Sequence, residues 1–74
     1  MQPVKIFSFS DCKTHGYRGS LRLEVFDNTY VGYLYPHNTT TRVVVKLDGL
    51  ECLDDSEQTE FSLVKNYLSN RIFH

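Results

Sequence analysis

The hydrophobic period of this chain changes once, and that change limits what it can fold into. Leu21, Leu23 and Val25 alternate with Arg22, Glu24 and Phe26, the period-2 pattern of a half-buried strand. Past Asp55 the repeat is different: Phe61, Val64, Leu68 and Ile72 fall at i, i+3, i+7 and i+11. That spacing predicts an amphipathic helix over Glu57 to Asn70, with Leu63 and Tyr67 widening its apolar stripe. Strands first and one helix last, in 74 residues, leave room for a single domain, residues 1–74, of α+β class.

Other segments fit this frame. Residues 4–9 (VKIFSF) read as a short strand, and residues 11–20 (DCKTHGYRGS), with two glycines, as a loop. Asp27-Asn28 is a turn former before a strand at 30–35 (YVGYLY). Residues 36–40 are a loop, and Thr41–Leu47 is the next strand. Short connections between consecutive strands predict an antiparallel meander. The acidic run before the helix suits its positive end, and Asp55 with Gln58 has capping-box spacing.

The formal net charge is −1, without the basic excess of a typical nucleic-acid binder, although a local basic patch is compatible with it. No apolar run reaches 18 residues and the N-terminus lacks a signal-peptide core, so the chain is expected to be intracellular and off the membrane. Cys12 and Cys52 are then expected to be reduced thiols, and the Asn38-Thr39-Thr40 sequon carries little weight. Cys12 and His15 have C-x-x-H spacing, but no second pair follows to complete a zinc site.

The string Val45-Lys46-Leu47-Asp48-Gly49-Leu50-Glu51-Cys52-Leu53-Asp54 resembles the V-R-L-x-G-I-D-x-P-E signature of the staphylococcal nuclease-like (thermonuclease) family. Upstream, Val25 to Val31 aligns with that family's V-x-D-G-D-T motif. The resemblance spans roughly residues 7–72. It implies a small OB-like antiparallel β-meander, or partial barrel, followed by one amphipathic helix. It also implies metal-assisted phosphodiester hydrolysis of DNA or RNA, with Ca2+ held by carboxylates and a backbone carbonyl, a glutamate acting on water, and arginines on the phosphate. The family barrel has two further strands after the helix, so the resemblance implies a domain truncated at its C-terminus. The open sheet edge would then be relieved by a longer chain, by self-association or a protein partner, or by the VKIFSF segment joining the sheet.

Carried onto this chain, the metal set is Glu51, the Cys52 carbonyl and Asp27, and the catalytic pair is Lys46 for phosphate and Asp54 for water. Each departs from the signature. Glu51 is one methylene longer than the family aspartate, and Asp54 one shorter than its glutamate. Lys46 is a point charge where the family has a guanidinium fork. Thr29 stands where the principal metal aspartate belongs. A misplacement of 1 Å can cost on the order of 10²-fold in rate, so the resemblance implies a degenerate site with weak or no activity. The alternative is a non-catalytic OB-type binding module. In it Arg42, Lys46, Tyr33 and Tyr35 would hold nucleic acid, with a protein partner as the other option. The same side chains could instead be a solvated face and cross-strand packing. Tyr33 and Tyr35 point one way and Tyr30 the other, so the three cannot share a surface.

Overall fold

A computed structural model describes residues 1–72. The chain forms strands β1 (Lys5–Thr14), β2 (Tyr17–Val25), β3 (Tyr30–Pro36), β4 (Val43–Val45) and β5 (Glu51–Cys52), then helix α1 (Asp55–Ile72). The strands make one antiparallel sheet in the order β4-β3-β2-β1-β5. The sheet curls, so that Thr14, His15 and Tyr17 of the first hairpin share a cleft with Val43, Val45 and Lys46. The result is a small α+β fold with a partial barrel.

The expected loop over residues 11–20 is instead most of a hairpin. Cys12 and Thr14 are buried while Lys13 is exposed, so β1 keeps alternating through this stretch. Cys12, Lys13 and Thr14 face Gly19, Arg18 and Tyr17. The reversal takes two residues, His15 and Gly16, with φ of 41° and 88°. Positive φ at both centres is what a tight hairpin turn requires. The polar composition that suggests loop belongs to a strand whose outward side chains are solvated.

Between Phe9 and Cys12 the β1–β2 register shifts, which marks a bulge at Ser10-Asp11. The freed Ser10 amide donates to both carboxylate oxygens of Glu57 at 3.0 Å, and its hydroxyl donates to Oε1. The sheet is thereby tied to the first turn of α1.

The strand expected over Thr41–Leu47 pairs only at Val43–Val45. Past it, Leu47 N–H donates to the Tyr30 hydroxyl at 3.1 Å rather than to a ladder carbonyl. The chain then reverses through Gly49 (φ 78°), where Leu50 N–H donates to Leu47 C=O at 3.1 Å. Two residues later it lies against β1 as β5, a strand too short to leave a periodic signal.

The core lies between the concave face of the sheet and α1. Phe9, Cys12, Leu21, Leu23, Val25 and Leu34 meet Leu50, Cys52, Phe61, Val64 and Leu68. Phe9 packs edge-on to Phe61, with centroids 5.3 Å apart. The helical stripe holds at Phe61, Val64, Leu68 and half-buried Ile72. Leu63 does not join it. Two residues past Phe61 it sits roughly 200° around the helix, and it is 64% exposed. Tyr67 stays on the flank, exposed, edge-on to Phe7.

Candidate nucleic-acid-binding face

Each acid of the Glu51–Asp55 stretch has a definite place. Glu51, on exposed β5, pairs with Lys13 across the ladder at 3.2 Å. Cys52 is buried and faces Cys12. Asp54, not Asp55, is the helix cap. Its Oδ1 accepts from Ser56 N–H at 2.9 Å and Glu57 N–H at 3.1 Å, and from the Ser56 hydroxyl. Its own carbonyl accepts from Gln58 N–H, the first bond of α1. The Ser56 hydroxyl and the Glu57 amide hold the Asp54 carboxyl below its ordinary pKa. The expected Asp55–Gln58 box does not form: the cap sits one residue earlier, at Asp54, and is one-sided. Glu57 turns to Ser10 rather than back along its own helix.

Asp27 lies elsewhere. It is exposed in the β2–β3 turn, 3.7 Å from Arg71 near the end of α1. Asp54 caps the start of that helix, and the 17 steps from Asp54 to Arg71 span about 25 Å at 1.5 Å per residue. The expected metal set of Asp27, Glu51 and Cys52 therefore does not converge on one point. Among the described residues, no three His, Cys, Asp or Glu side chains come close enough to share an ion. Cys12 and His15 also part, Cys12 into the core and His15 into the exposed turn.

Of the four residues expected to hold nucleic acid, Tyr33, Tyr35 and Arg42 gather on the outer face of the sheet, and Lys46 does not join them. Ser8, Arg22, Tyr33 and Val44 are successive partners across β1, β2, β3 and β4, and Tyr35 lies beside Ser20. Arg42, just before β4, lays its guanidinium over the Tyr33 ring at 4.0 Å from the centroid. The hydroxyl of Tyr35 beside it raises the Arg42 pKa further above its ordinary value. Tyr33 is half-buried under this contact, while Tyr35 is 39% and Val44 67% exposed. Tyr30 points to the other side, as alternation requires, and packs against the core. Lys46 is exposed beyond the far end of β4. Arg22 completes the face and pairs with Glu24 at 2.9 Å. It was legible from its position between Leu21 and Leu23, though no motif singles it out.

This arrangement separates charge that the overall value of −1 conceals. Asp54, Asp55, Glu57 and Glu60 crowd the first turns of α1, on the concave side. Arg22 and Arg42 stand on the outer side, with Glu24 beside Arg22, while Lys46 lies past β4 in the cleft it shares with Thr14 and His15. Comparisons of the chain with protein-family models, curated proteins and solved structures find no match.

Proposed function

We propose that the domain is a non-catalytic module that binds single-stranded nucleic acid across the outer face of β2, β3 and β4. The observation that carries this reading is the Arg42 guanidinium stacked on Tyr33 beside exposed Tyr35. Arginine offers a planar fork that matches phosphate oxygens, and its free face can also stack on a base. Tyr35 supplies an aromatic surface for an adjacent base, worth roughly 1–3 kcal/mol per stacked base at such sites. With Arg22 and Arg42 on the face and Lys46 past its edge to meet phosphates, affinity is modest and tolerant of sequence.

The thermonuclease resemblance enters this reading as the origin of the scaffold. A curled meander, a Gly turn and a helix follow one another in the family's order. The side chains at its catalytic positions have other tasks here: Asp54 caps the helix, Glu51 pairs with Lys13, and Thr29 carries no charge. Phosphodiester cleavage is not expected.

Fluorescence anisotropy with a labelled single-stranded oligonucleotide tests the proposal. Binding should weaken with salt at a log–log slope of about −2, from two to three phosphate contacts at roughly 0.7 each. Arg42→Ala and Tyr35→Ala should each lower affinity about tenfold with the circular dichroism spectrum unchanged. Binding indifferent to both salt and Arg42→Ala overturns the reading. A calcium titration followed by NMR addresses catalysis separately. Shifts of the Glu51, Cys52 and Asp54 amides at millimolar calcium would restore a metal-dependent enzyme.

A further inference from the structure

Cys12 and Cys52 lie 40 residues apart in sequence and are Cα partners across the β1–β5 ladder. Next to them Leu53 N–H donates to Asp11 C=O at 2.9 Å, so the two cysteines occupy a non-hydrogen-bonded position of the ladder. Such antiparallel pairs have Cα atoms about 4.5 Å apart and bring their side chains closest. That spacing falls within the disulfide range of roughly 4.4–6.8 Å. The sulfur atoms are in contact at 3.1 Å. Both residues are buried, at 0% and 1% exposure, and no third metal-binding side chain among the described residues joins them. Each thiol therefore has the other as its chemical partner.

We propose that Cys12 and Cys52 form a redox-linked pair that closes into a cross-strand disulfide when a low-molecular-weight disulfide, such as oxidised glutathione, is the oxidant. One cysteine thiolate attacks oxidised glutathione and expels a glutathione thiolate, leaving a mixed disulfide. The second cysteine thiolate attacks the protein sulfur of that bond and expels the second glutathione. The pair loses two electrons and two protons, and one glutathione disulfide becomes two thiols. Burial pushes both thiols above their ordinary pKa, so in the closed fold they are protonated and shielded. Reaction proceeds from molecules in which β5, two residues long, has opened from β1.

The bond would fasten the shortest strand of the sheet just before the chain enters α1. It would also close a loop containing β2, β3 and β4, which restricts the unfolded chain.

The test uses the full chain equilibrated in glutathione buffers of different ratio, quenched with acid, unfolded and alkylated. The expected product under oxidising conditions is a monomer lighter by two hydrogens, with neither cysteine alkylated. Its melting temperature should exceed that of the reduced chain by about 10 °C. Cys52→Ser should show neither the mass change nor the shift, and Cys52→Ala serves if the serine variant does not fold. The wild-type mass decides the matter even if neither variant folds. Two alkylated cysteines, a persistent glutathione adduct on one of them, or a disulfide-linked dimer as the main product would each overturn the proposal.

Discussion

Asp54 shows how one residue's task depends on a single oxygen. Its Oδ1 serves two amides and a hydroxyl at the start of α1. Asp54→Ala is expected to lower the melting temperature by about 5 °C, read by circular dichroism. The pH dependence follows from the depressed pKa values of Asp54, held by Ser56 and Glu57, and Asp11, held by Arg18. Their folded pKa lies below the ordinary 3.8, so the unfolded chain binds more protons in that interval. The stability they contribute is complete above about pH 5, and it is lost as pH falls through the ordinary value and then the folded ones. Asp54→Asn keeps a capping oxygen but cannot titrate. It should hold much of the stability at neutral pH and flatten the acid limb, whereas Asp54→Ala loses both. The acidic character of this stretch was plain in the sequence. Which carboxylate caps was not, because Asp54 and Asp55 are chemically identical and the backbone chooses between them.

At the scale of elements, the helix was the most legible part. Its buried stripe follows from a period of 3.6 alone, and Leu63, apolar but off that period, stands outside it. Leu68→Ala should cost about 2–5 kcal/mol in urea unfolding, because Leu68 is fully enclosed. Leu63→Ala should change stability little, since the side chain stands in solvent. The first hairpin was hidden for a different reason. Its buried positions are Cys12, Thr14 and Gly19, none of which advertises a core. Gly19 is there because β3 crosses close by, and a Cβ at this position would fall on the Tyr35 carbonyl. Gly19→Ala is therefore expected to break the β2–β3 pairing near Pro36 and abolish the folded amide pattern in a heteronuclear NMR spectrum. β5 had no signal of its own. It pairs because the turn at Gly49 delivers it to β1.

For the whole molecule, size sets the terms. A chain of 74 residues buries a modest share of its surface, so links between layers carry weight beyond their number. The Ser10–Glu57 contact joins the sheet to the first turn of α1, and the Cys12–Cys52 pair holds the last strand to β1 just before the helix. The fold also gathers four acids, Asp54, Asp55, Glu57 and Glu60, at the helix start, and sets Arg22 and Arg42 on the outer face. Glu24 lies on that face too and holds Arg22 at 2.9 Å. If the outer face binds nucleic acid, Glu24→Gln should raise affinity several-fold in the anisotropy experiment, because a repelling carboxylate is removed and Arg22 is released. An affinity unchanged by Glu24→Gln would place binding on another surface.

By itself the sequence determined the class of this protein: strands that alternate, then a helix with one apolar stripe. It determined too that Tyr33 and Tyr35 share a face that Tyr30 does not, because both facts are periodicities that a local stretch carries within itself. Only the tertiary structure decided that Asp27 lies near the far end of the helix from Asp54, that Arg42 stacks on Tyr33, and that Cys12 meets Cys52. Those pairings depend on register, on a bulge at Ser10-Asp11 and on a turn at Gly49. Register is settled by which packing fills the core, and no local pattern contains that choice.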